Sequence, residues 1–190
     1  MKKYGEIFYQ LTRPISYLFL NHDSGKVYNW KIPSICTFFT LLGLYCLVGL
    51  ENVAGKDGLL AELSGFIVGL PGFLIAAIAA IATFNRPVID QEMINAPTIN
   101  VKVGESKIED MKLTRRDFLL RLFSYLTVLS IFLVIYQKLG LLTSVPTLLT
   151  STFYIAEWFY VSVFFLFFWQ LLTLILFGLY YLCERLNLNL

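Results

Sequence analysis

Four long apolar runs divide the chain, and polar residues collect between them. IPSICTFFTLLGLYCLVGL occupies 32–50 and LSGFIVGLPGFLIAAIAAIATF occupies 63–84. FLLRLFSYLTVLSIFLVIYQ occupies 118–137 and EWFYVSVFFLFFWQLLTLILFGLYYL occupies 157–182. A helix needs about 20 apolar residues to cross roughly 30 Å of hydrocarbon. Backbone groups in lipid must bond within their own segment, so the runs predict helices. The weaker alternation of barrel strands is absent. The pattern predicts an all-α membrane protein with four transmembrane helices.

The intervening segments have patterns of their own. In residues 3–20, Tyr4, Ile7, Phe8 and Leu11 share one helical face, which predicts an interfacial amphipathic helix ended or kinked at Pro14. TINVKV (98–103) alternates Ile99, Val101 and Val103 with polar residues, and Gly104-Glu105 offers a turn toward KIEDMKL. This predicts a small cytoplasmic β-hairpin between helices 2 and 3, marginal unless something covers it. The organisation is therefore an interfacial segment at 1–31, helices 1 and 2 within 32–84, and a loop at 85–117. Helices 3 and 4 lie within 118–182, and a tail covers 183–190.

Charge sets the orientation. Segment 1–31 carries Lys2, Lys3, Arg13, Lys26 and Lys31, and segment 85–117 carries Arg86, Lys102, Lys107, Lys112, Arg115 and Arg116. The loops at 51–62 and 138–156 carry only Lys56 and Lys138. By the positive-inside rule both termini and the central loop are cytoplasmic. The expected location is multi-pass in a bacterial inner (plasma) membrane. Lys102, Lys107, Lys112, Arg115 and Arg116 are the candidate docking cations for a cytoplasmic partner.

One cation breaks the third apolar run. Thr114 is a good N-cap with Asp117 as its reciprocal partner, so Arg121 falls about 10 Å into the helix. From there it either snorkels to headgroups as an anchor or faces a cytoplasmic vestibule. Trp30, Trp158, Tyr180 and Tyr181 complete the expected anchoring belt.

The second run carries Gly65, Gly69, Gly72, Ala76, Ala79 and Thr83 on one stripe, including the GFIVG pattern at 65–69. Small residues let a second helix approach closely. The stripe suits an oligomer or pore-lining interface, or else tight packing within one protomer. Pro71 removes one backbone bond from that helix. The fourth run, with FFLFFWQ at 164–170, suits lipid exposure or a thick bundle wall. Gln170, near its midpoint, suits a bond to a neighbouring helix or a place on a permeation path.

Composition narrows the chemistry. The chain is 57% hydrophobic with net charge +2, which gives no basic surface for direct nucleic-acid binding. Cys36, Cys46 and Cys183 lack metal-ligand spacing, and His22 is the single histidine. No catalytic, cofactor or metal residues are expected, and the chain is read as a non-enzyme. No Asp or Glu lies mid-span, which ranks active transport low.

The layout resembles small four-span proteins of bacterial anti-phage defence systems, nearest the membrane subunit of the Kiwa system. The resemblance rests on chain size, the four spans and the compact loop at 85–117, and it brings no residue roles. It implies an oligomeric inner-membrane sensor that responds to envelope perturbation and holds a cytoplasmic DNA-binding effector. The expected function is thus a sensor or scaffold, with lipids, copies of itself and an effector protein as partners. The rival is a pore-forming effector with Ser124, Thr127 and Ser130 on its path. A third reading is a holin-like or purely structural protein without a partner.

Overall fold

The computed structural model describes residues 2–20, 25–47, 53, 58–83, 87–91, 98–103, 107–142 and 152–185. Helix α1 (Lys2–Thr12) leads into a 3₁₀ segment, Arg13–Phe19. A π-helical stretch, Val27–Lys31, runs on into α2 (Ile32–Leu47). Next come α3 (Leu59–Val68) and α4 (Leu70–Thr83), a 3₁₀ turn at Pro87–Asp90, and strands β1 (Thr98–Val103) and β2 (Lys107–Lys112). Helices α5 (Arg115–Leu142) and α6 (Thr152–Tyr180) follow, and a π turn, Tyr181–Arg185, comes last.

Four helical stretches are long and apolar enough to span a bilayer: Val27–Leu47, Leu59–Thr83, Arg115–Gly140 and Ile155–Cys183. The chain is a multi-pass membrane protein. Each stretch starts before the apolar run expected for it. Position 50, the expected end of the first span, lies outside the described residues.

Local chemistry accounts for the interruptions. The second span is two helices, α3 and α4, meeting at Gly69, since Pro71 has no N–H for the Ile67 carbonyl. Gly69 keeps a right-handed helical backbone (φ −75°, ψ −22°), so the junction is a mild break. Pro14 likewise stands at the entry of the 3₁₀ segment, where a missing N–H costs little. At the start of α5 the Thr114 hydroxyl oxygen accepts the Asp117 N–H at 3.2 Å, and the hydroxyl donates to the Asp117 carboxylate at 2.8 Å. This is the cap expected from the sequence.

The helices form a row and not a closed ring. α3 and α4 pack on α5, α5 packs on α6, and α6 packs on α2, all antiparallel. No extensive contact joins α2 to α3 or α4 among the described residues. Burial follows: 56% and 44% of positions are buried in the third and fourth spans, against 17% in the first and second. The core is therefore the α5–α6 pair, with Leu119, Leu122, Leu126, Leu133, Phe164 and Leu171 almost fully enclosed. Phe164, Phe165 and Phe168 lie in this core, so the aromatic run of the fourth span is a bundle wall and not a lipid face.

The expected fold class needs correcting. The fold is mostly helical, with four candidate spans, and the β1–β2 pair forms no layer with them. Backbone pairing does run antiparallel from Thr98 opposite Lys112 to Val103 opposite Lys107. Among the described residues that ladder has no extensive contact with any helix. Two strands alone bury too little to form a layer of a fold. The alternation at 98–103 reports local backbone preference, and no functional part is assigned to it.

Candidate functional site: the outer face of the second span and the basic end

The sequence left open which way the small-residue stripe faces. Gly65, Gly69, Gly72, Ala76, Ala79 and Thr83 are all exposed. The opposite face supplies the contact with α5 through Leu60, Ser64, Ile67, Leu74 and Ile81, all buried. A side chain added at Gly65 or Gly72 would meet nothing within 4 Å. Exposed Phe66 and Phe73 rise on one side of the stripe, and exposed Val68 and Ile75 on the other. The result is a shallow channel with a small-residue floor and bulky walls on the outside of the protomer. Tight packing within one protomer is therefore not what the stripe does.

Two other glycines make the close approaches within the protomer. A Cβ built at Gly178 would sit 3.3 Å from Leu122 Cδ2 and 3.4 Å from Phe123 Cζ. At Gly140 it would overlap the Tyr160 ring. That ring stacks on Tyr136 at 4.8 Å, and its hydroxyl donates to the Tyr136 and Gln137 carbonyls at 3.4 and 3.3 Å. Sequence reading missed both positions. Their only signal is one glycine near the C-terminal end of each helix of an antiparallel pair.

The basic end brings together the start of the first span, the end of the second, the start of the third and the end of the fourth. Arg116 links two of these elements, the end of the second span and the start of the third, to the Pro87–Asp90 turn. Its guanidinium donates to both Asp90 carboxylate oxygens, at 2.7 and 3.0 Å. It also donates to the Ile81 and Ala82 carbonyls at 3.2 and 2.8 Å, which α4 leaves unpaired at its C-terminus. Arg115 is buried, and its backbone N–H donates to the Gln91 carbonyl at 3.2 Å. Two of the five expected docking cations are thus engaged within the protein. Lys112 is exposed. The side chains of Lys102 and Lys107 lie outside the described residues.

The N-terminal segment docks on this end. Tyr17 is buried, stacks on Tyr125 at 5.6 Å, meets Phe118 at 6.0 Å, and donates its hydroxyl to Asn29 Oδ1 at 3.3 Å. Burial holds its phenol above the usual pKa. Exposed Tyr4, Ile7 and Leu11 form the apolar face of α1, as an interfacial helix requires. The Phe8 side chain lies outside the described residues. Arg121 is partly buried and donates from Nη1 to Ser16 Oγ at 2.8 Å, which fixes the guanidinium beside this segment.

The anchoring belt divides. Trp30 and Tyr180 are exposed. Trp158 is partly buried and lies 5.9 Å from Tyr45 at the other end of the molecule. Tyr181, by contrast, is buried against Phe118 at 5.6 Å. One residue is about 100° of helix rotation, enough to turn Tyr180 outward and Tyr181 inward.

No family model, curated protein or solved structure matches this chain. Its polar interior must be read by itself. Gln170 accepts the Tyr125 hydroxyl at 3.1 Å, the interhelical bond expected of a mid-span amide. Trp169 Nε1 donates to Thr40 Oγ1 at 2.9 Å, tying α6 to α2. Thr127 donates back to the Phe123 carbonyl at 2.8 Å, and Ser130 to the Thr127 carbonyl at 2.9 Å. These two hydroxyls are spent within their own helix. Gln137 is buried, and neither side-chain polar atom has a partner among the described residues.

Proposed function

We propose that this chain is a non-catalytic membrane scaffold that assembles with copies of itself through the outer face of the second span. The observation that carries the reading is the outward channel floored by Gly65, Gly69, Gly72, Ala76, Ala79 and Thr83. In lipid, helix association relies on close van der Waals packing, and a small-residue floor allows the backbones to approach. Within this reading the scaffold sits in a bacterial inner membrane and presents its basic end to a cytoplasmic effector. The setting in anti-phage defence, with envelope perturbation as the stimulus, follows the layout resemblance. Lys112 remains available for docking at that end, whereas Arg115 and Arg116 serve the protomer itself.

The test is the mass of the purified full chain in mild detergent, measured by light scattering, beside Gly69→Leu and Gly72→Leu. Neither glycine contacts another span, so both variants should fold and shift the protein toward monomer. Wild-type mass in both variants refutes the interface. An effector retained stoichiometrically on the wild-type assembly from native cells supports the scaffold role; a multimer that retains none refutes it and favours a self-sufficient pore.

A further inference from the structure

The N-terminal segment and the first turns of α5 enclose an open pocket of about 360 Å³ at the basic end. Its polar lining is Gln10, Arg13, Asp117, Arg121 and Ser124, with Leu120 supplying apolar wall. Arg13 and Arg121 are far apart in the sequence, yet both line this one space. Each is held by a neighbour at one point. Arg13 Nη1 donates to the Tyr9 hydroxyl at 2.5 Å and its guanidinium lies over the Tyr9 ring at 5.2 Å, while Arg121 Nη1 donates to Ser16. A guanidinium carries five N–H donors. Most of these donors therefore have no protein partner among the described residues.

The one acid in the pocket lining, Asp117, offsets only one of the two guanidinium charges. Two cations and one anion leave a net positive site. Its depth is also specific. Arg121 is six residues into α5, roughly 9 Å along the helix. The exposed apolar face of α1 lies beside it, so the pocket opens at headgroup level. Planar, preorganised guanidiniums suit the oxygens of a phosphate.

We propose that Arg13 and Arg121 form a phosphate-binding site at the membrane boundary, with Gln10 and Ser124 as further hydrogen-bonding groups. The ligand chemistry is a phosphate anion, carried either by an anionic phospholipid headgroup or by a free phosphate. The site is independent of the self-assembly reading, since no residue of the second span contributes to it.

The full chain, delipidated in a neutral maltoside detergent, is titrated with phosphatidylglycerol, with phosphatidylcholine and with inorganic phosphate while thermal unfolding is followed by tryptophan fluorescence. Saturable stabilisation by phosphatidylglycerol alone identifies a lipid site; the same response to inorganic phosphate identifies a free-phosphate site. In either case Arg13→Gln and Arg121→Gln should each weaken binding about tenfold, the loss of one charge-assisted hydrogen bond. Arg121→Lys should retain part of the affinity. Should Arg121→Gln fail to fold, Arg13→Gln decides, because it lies outside all four spans. The proposal is overturned if no ligand stabilises saturably, if phosphatidylcholine matches phosphatidylglycerol, or if Arg13→Gln binds like wild type.

Discussion

Gly140→Ala and Gly65→Ala introduce the same methyl group and should move stability in opposite directions. At Gly140 the new Cβ overlaps the Tyr160 ring. The ring cannot swing away without leaving Tyr136 and the two carbonyls that its hydroxyl reaches. Overpacking of this kind costs roughly 1–3 kcal/mol. Losing the long hydroxyl contacts adds about 0.5 kcal/mol. Alanine returns about 1 kcal/mol through its better helix propensity. The net expectation is a loss of about 0.5–2.5 kcal/mol, or a roughly 2- to 70-fold fall in the folded-to-unfolded ratio. At Gly65 no atom lies within 4 Å, so only the propensity gain remains. The assay is reversible unfolding in mixed micelles of rising SDS fraction, followed by tryptophan fluorescence at a dilution that keeps the chain monomeric. The reasoning fails if both variants unfold at the same SDS fraction, or if Gly65→Ala is the weaker of the two.

Two further perturbations probe the interior and the basic end. Gln137→Leu removes a buried amide with no partner among the described residues, whose desolvation costs about 1–3 kcal/mol, so the variant should resist SDS unfolding better than wild type; a less stable variant would show that the amide is satisfied in the membrane. Arg116→Gln releases the Ile81 and Ala82 carbonyls and Asp90, so hydrogen exchange should quicken at the end of α4 and stay unchanged in the middle of α6; unchanged exchange at the α4 end would refute the clamp.

The four spans are legible because hydropathy is a local sum over a segment, and lipid demands it of each segment separately. The cap at Thr114 is legible for a similar reason, being set by residues near in sequence. The order of helices in the row is not written locally. Hence the stripe from Gly65 to Thr83 could be recognised as one face, while its direction depended on which other face met α5. The burial of Ser64, Ile67 and Leu74 decided that. Gly140 and Gly178 stayed hidden because each is a lone glycine that gains meaning only from the ring or leucine opposite. Arg116 was read as a surface cation because Asp90 and the end of α4 are distant in sequence. The belt reading separated at Tyr180 and Tyr181 because pattern alone does not fix helix rotation to one residue.

The open row has a consequence for symmetry. Its two flanks are different surfaces: α2 forms one and the α3–α4 span forms the other. A flank that meets its own kind is satisfied by a two-fold axis, and growth stops at two copies. A flank that meets the other kind leaves an unlike pair free at each step, and growth ends only when the rotation closes a ring. Under the proposed self-assembly, copy number is thus a question of like or unlike flanks, settled by which surface the small-residue channel receives.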